Sequence, residues 1–179
     1  METWNVVITV HEGCYNEVRD LLKPLGAVRK TDYYNVLVMT VDDIPQALES
    51  LKAMVDERPE LLNAVARFVP AAQTFFFTNA GEFEEKAGKA ALALAGELEG
   101  KRFHVRMKRR GFKKRISSLD EETFLDKVLL EALEKEGVSG SISFSDPDVV
   151  IAMETVGQRA GMSLFTREEL ARYPFLHVA

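Results

Sequence analysis

Residues 101–115 read Lys101-Arg102-Phe103-His104-Val105-Arg106-Met107-Lys108-Arg109-Arg110-Gly111-Phe112-Lys113-Lys114-Arg115, and nine of them are Lys or Arg. The whole chain has 179 residues, with 23 basic and 28 acidic side chains and a net charge of −5. This stretch carries +9 and the remainder −14, so an acidic protein has gathered its positive charge in one segment. The first part of the segment alternates. Phe103, Val105 and Met107 share one parity, and His104, Arg106 and Lys108 the other. Successive strand side chains point to opposite faces, which predicts a strand with an apolar face on a core and a cationic face in water. Gly111 allows a turn, and Lys113, Lys114 and Arg115 fall in the loop after it. Dense like charge repels itself and calls for an anionic partner, for which nucleic-acid phosphates are the leading candidate. The alternative is a solvated charge run balanced by acidic neighbours. The candidate RNA-binding residues are Lys101, Arg102, His104, Arg106, Lys108, Arg109, Arg110, Lys113, Lys114 and Arg115.

Working outward, 46% hydrophobic and 28% charged residues describe an ordinary globular chain, long enough for one large domain or two small ones. The one cysteine, Cys14, rules out an intramolecular disulfide framework and a thiolate zinc cluster, and fits a reducing cytoplasm. His11 with Cys14 supplies two ligands, short of a metal site. Neither a signal peptide nor an apolar run of the roughly 20 residues needed to span a bilayer is expected.

Before the cationic segment, Trp4 to Val10 is a β-branched strand. Val18, Leu21, Leu22 and Leu25 mark a helix that Gly26 closes. Ala27–Lys30 and Asn35–Val41 form a hairpin around Asp32-Tyr33-Tyr34-Asn35. Asp43 caps a helix with Pro45 in its first turn and a stripe of Ile44, Ala47, Leu48, Leu51 and Val55, ended by Arg58-Pro59. Ala64–Val69 and Gln73–Phe77 are strand. The order strand, helix, strand, strand, helix, strand predicts a ferredoxin-like split βαβ over residues 1–78. With seven basic and eleven acidic residues this half is no evident RNA binder.

Residues 79–179 open with a capping box of Asn79 and Glu82, then a helix with Phe83, Ala87, Ala91, Leu94 and Leu98 inward, stopped by Gly100. After the cationic strand, Ser118 and Glu121 are a second box, with Phe124, Val128, Ala132 and Leu133 inward. Strands follow at Ser141–Phe144, Val149–Met153 and Met162–Phe165. The unbroken apolar run at 149–153 suits a strand covered on both faces. Thr166 with Glu169 caps a last helix ending at Tyr173-Pro174. Asp146-Pro147-Asp148 offers two carboxylates, but its order suits a turn and no nucleophile or base lies nearby in sequence. The phosphate, dinucleotide and hydrolase glycine motifs are missing, so those activities have no support.

The runs Phe103–Gly111, Asp146-Pro147-Asp148-Val149-Val150-Ile151, Gly161–Glu169 and Tyr173-Pro174-Phe175-Leu176 resemble a THUMP domain. The similarity covers about residues 80–176 and is nearest to the standalone THUMP proteins that serve as adaptors in tRNA cytidine acetylation. The implied fold is α/β (α+β), a ferredoxin-like domain at 1–78 followed by a THUMP-like domain at 79–179. The implied function is binding of tRNA near the acceptor stem and 3′ end, and its presentation to a separate tRNA-modifying enzyme in trans. In that reading the chain is not itself an enzyme and needs no cofactor and no metal. The competing reading, from another class, is a ligand-sensing or oligomeric regulatory protein built on the ferredoxin-like half.

Overall fold

The computed structural model describes residues 3–178. Met1, Glu2 and Ala179, the outer ends of the two expected domains, lie outside the described residues. The chain divides into two compact units, Met1–Ala72 with Leu170–His177, and Gln73–Glu169 with Val178–Ala179.

The first unit contains β1 (Val6–Val10), α1 (Tyr15–Leu22), β2 (Val28–Lys30), β3 (Val36–Met39), α2 (Ile44–Glu57) and β4 (Val65–Pro70). Its sheet runs β2-β3-β1-β4 with antiparallel neighbours, the split βαβ order. Asp43 caps α2 as expected, accepting the Gln46 N–H at 3.0 Å, and Ala47, Leu48, Leu51 and Val55 are buried. The C-terminal residues of the chain also belong here. Phe68 N–H donates to Phe175 O at 3.0 Å, and their rings meet edge to face at 5.8 Å. Arg172 Nε and the Tyr173 hydroxyl both donate to Glu49 Oε2, at 2.9 and 2.7 Å. The Arg172 guanidinium and then that hydroxyl hold the Glu49 carboxyl down at about 2.

The second unit contains β5 (Gln73–Phe76), α3 (Ala80–Leu92), β6 (Arg102–Lys108), α4 (Ser118–Lys135), β7 (Ser141–Ile142), β8 (Val149–Val156), β9 (Arg159–Thr166) and the start of α5 (Arg167–Arg172). Its sheet runs β5-β9-β8-β6-β7, with β6 parallel to both neighbours and the β8/β9 and β5/β9 pairs antiparallel. β5 reads as the end of the first half but pairs with β9, so it lies in the second sheet. The hairpin between β8 and β9 is also tighter than expected. Its turn is only Gly157-Gln158, with Gly157 at φ +59°, so Arg159 to Gly161 are strand rather than turn.

One face of this sheet carries the core. Phe103, Val105 and Met107 pack with Ile151, Met153, Met162, Phe77 and Phe83 beneath α3 and α4. α4 buries Leu125, Leu129 and Leu133 rather than Phe124 and Val128. Its apolar stripe is two residues wide at every turn, and either edge could have faced inward. Each fully buried leucine contributes about 1.5–3 kcal/mol. Ser117, not Ser118, caps the helix by accepting the Asp120 N–H at 3.3 Å. No helix among the described residues is long and apolar enough to cross a membrane.

Candidate nucleic-acid interface

β6 forms because its alternation matches the pleat. Phe103, Val105 and Met107 face the core, while Arg106 and Lys108 are exposed. The edge of β6 beyond β7 is closed by α4. The Val105 N–H donates to Asp126 Oδ1 at 2.8 Å and the Met107 N–H to Glu122 Oε1 at 2.9 Å. Side chains thus occupy donors that an exposed edge would offer to a foreign strand. Burial pushes the Asp126 carboxyl up to about 6.

After β6 the chain makes a tight turn on two core anchors. Phe112 is buried with its ring 4.9 Å from that of Phe77, and Ile116 is buried one turn later. The N–H groups of Arg115 and Ile116 both donate to Phe112 O, at 2.9 and 3.0 Å. Gly111, Phe112 and Lys114 all take positive φ. For a non-glycine residue that conformation costs about 1–2 kcal/mol. In that conformation the Phe112 ring is buried against Phe77. Between the anchors, Lys113, Lys114 and Arg115 are exposed, with Arg115 lying 4.5 Å over the Phe112 ring.

The candidate cations therefore separate into two groups. Lys101, Arg106, Lys108, Lys113, Lys114 and Arg115 are exposed, and none is held by a carboxylate among the described residues. Arg109 is half-buried and its guanidinium donates to Gly111 O. Three members depart from the expectation of a free cationic face. Arg102 is tied to the turn before β8. Its guanidinium donates to Asp146 Oδ2 at 2.7 Å and to Asp148 Oδ1 at 2.9 Å, and its N–H donates to Asp148 Oδ2 at 2.8 Å. Arg167 closes the group with 2.8 Å to Asp146. The Arg102 hydrogen bonds hold the Asp148 carboxyl down at about 2. Asp146 and Asp148 are thus clamps for two arginines.

Arg110 is buried and paired at 2.6 Å with buried Glu154. Its N–H donates to Thr155 Oγ1 and its carbonyl accepts the Gly157 N–H, so it pins the end of the cationic segment to the β8/β9 hairpin. His104 is buried too, 2% exposed, with Nδ1 3.2 Å from Val105 O and its ring 5.6 Å from that of Phe144. Burial pushes the imidazole down and favours its neutral form. The parity of β6 is as expected, but this face of the sheet is buried at His104, Val150 and Ala152 and reaches water at Arg102, Arg106 and Lys108. The alternation also gave no warning of Phe144, read as a strand residue; it lies beyond β7 and is 76% exposed. Asp126 and Glu122 carried a readable signal, two carboxylates four apart along the apolar stripe of α4. Among the described residues no group of three or more His, Cys, Asp or Glu is gathered for a metal.

Solved structures share this architecture. PH1313 from Pyrococcus horikoshii Ot3 superposes with a TM-score of 0.63 at 14% identity, over 91% of this chain and 54% of its own. TrmN from Thermus thermophilus gives 0.64 at 17%, over 90% and 45%. A 4-thiouridine synthetase solved with RNA and bound ATP gives 0.55 at 14%, over 92% and 42%. The chain spans about half the length of the structures it matches. At these identities the likeness concerns fold, and it supports the THUMP-like α/β fold that the motifs implied. No family model matches the sequence. No curated protein matches it either. The expectation that the chain is not an enzyme is corrected here. Its structural neighbours include the 4-thiouridine synthetase, a possible methylase and a predicted N6-adenine-specific DNA methylase.

Proposed function

We propose that this chain is the RNA-docking part of a tRNA-modifying enzyme. It holds folded tRNA by the phosphate backbone on the exposed cations of β6 and the loop after it, and brings the RNA to the modifying activity. The observation that carries this reading is the set of unclamped cations, Arg106 and Lys108 at the strand end and Lys113, Lys114 and Arg115 in the loop that follows, in a chain whose net charge is −5. An acidic protein repels RNA over most of its surface, and a single positive patch orients what it does bind. Phosphate contacts fix position without reading base sequence, so affinity should depend steeply on salt. The occurrence of the same fold in a synthetase solved with RNA supports the reading. The test is tRNA binding measured against salt. A slope reflecting on the order of five to seven neutralised phosphates is expected, and a flat response would remove the proposal. Co-purification from native extract, with bound RNA and bound protein both identified, would then name the tRNA and the modifying activity.

A further inference from the structure

Phe144 is an exposed apolar side chain on a stretch of backbone that is hydrogen-bonded on both sides of it. The Ser143 N–H donates to Phe103 O at 3.0 Å, extending the β6/β7 pairing to the residue before the ring. Beyond the ring, the Asp146 N–H donates to Ser143 Oγ at 3.2 Å and the Asp148 N–H to Arg102 O at 2.7 Å. The backbone on both sides of Phe144 is therefore fixed to β6. The ring rests on the His104 ring at 5.6 Å between centroids and 57° between planes, and is otherwise in solvent at 76% exposure.

The charges around it favour an anionic visitor. Asp146 and Asp148, the nearest carboxylates along the chain, are each bonded to Arg102 and Arg167, so that group of four sums to zero. Arg106 lies two residues beyond His104 on the same face of β6, about 7 Å along the strand, and is exposed with no carboxylate on it. A flat apolar surface whose supporting residue shares a strand face with an unclamped guanidinium suits a ligand that is aromatic and carries phosphate. We infer that Phe144, seated on His104, is a stacking platform for an unpaired nucleobase of the bound RNA. Every base has a π-face, so the platform is tolerant of base identity. Arg106 would hold the phosphate of the stacked nucleotide. This inference rests on the RNA-docking reading above and adds to it a preference for RNA with a single-stranded segment.

The experiment uses the full chain and two fluorescent probes, a two-stranded RNA duplex with an unpaired 3′ tail and the same duplex with blunt ends. Phe144→Ala should weaken binding of the tailed probe about five- to hundred-fold, leave the blunt probe unchanged, and preserve the salt slope. Phe144→Trp should bind the tailed probe like the parent, and its added indole emission should be quenched by that probe and not by the blunt one. Should Phe144→Ala prove unstable, the Phe144→Trp emission decides by itself. Equal weakening of both probes, or no weakening with unaltered Trp emission, would overturn the platform while the RNA reading stands, because the parent protein still binds with its salt slope. Failure of the parent to bind either probe would overturn both.

Discussion

Two groups of cations from one fifteen-residue run meet opposite fates. Arg102 and Arg110 are ion-paired to Asp146, Asp148 and Glu154, whereas Arg106, Lys108, Lys113 and Lys114 reach solvent without a carboxylate among the described residues. Charge density along the chain is the same for both groups. What differs is the neighbour that the parallel pairing of β6 with β8 delivers. The start of β6 lies against the Asp-Pro-Asp turn, and the residues after its end lie against the β8/β9 hairpin. Positive charge in this segment therefore does two jobs: the paired cations lock the fold, and the unpaired ones remain available to an anion.

The sharpest way to break this comparison is to remove a locking cation. Arg110→Ala leaves the buried Glu154 carboxylate without its guanidinium and should cost about 3–5 kcal/mol in denaturant unfolding. A cost below about 1 kcal/mol would mean that the buried pair does not lock the hairpin. The complementary change is Arg106→Ala with Lys108→Ala. Unfolding stability should barely move, while tRNA affinity falls about ten-fold or more and the salt slope drops by about two, roughly one for each cation removed. If stability falls instead, these residues belong with the paired group.

Asp126 and Asp148 sharpen the contrast through pH, because their carboxyls are shifted in opposite directions. Asp126, raised to about 6, is protonated in both states below about pH 4. From there to about pH 6 the unfolded chain gives up its proton more readily, so this group lowers stability as pH rises, with the full cost present above pH 6. Asp126→Asn has no such cost. It should gain on the parent protein by about 1–3 kcal/mol between pH 4 and pH 7 and level off above, as read from unfolding curves across that range. Asp148, lowered to about 2, behaves oppositely. Its contribution is present above about pH 4 and is lost as pH falls toward 2. The smallest effect is expected from Asp146→Asn with Asp148→Asn. Unclamping Arg102 should steepen the salt slope of tRNA binding by up to about one. An unchanged slope would show that Arg102 lies outside the RNA footprint.

Much of the fold was legible because its signals are local. The Asp43 cap, the Thr166/Glu169 box and the strand alternation of β6 each involve residues within a few positions of one another. Errors arose where two local answers were equally good. Ser117 and Ser118 are both capping residues, and the doubled stripe of α4 offers two inward edges. The capping box at Asn79 is correct in one half only: Asn79 Oδ1 accepts the Glu82 N–H, but the Glu82 carboxylate turns back to Thr78 rather than to Asn79. β5 was misplaced because an apolar strand does not name the sheet it will join.

By itself the sequence determined that positive charge is concentrated in one segment, that the segment begins as a strand with one apolar face, and that the chain is of the α/β class. Only the tertiary structure decided which cations are free. Arg102 and Arg110 meet carboxylates 44 positions or more along the chain, and the β6/β8 register sets those meetings. Likewise His104 shares the parity of Arg106 and Lys108 yet is buried, because parity fixes the face of a sheet and not what lies against it. A guanidinium held within 3 Å of a carboxylate of its own chain is engaged within the fold, and the same group facing water is open to what diffuses to it. That distinction depends on distance in space, which spacing along the chain does not encode.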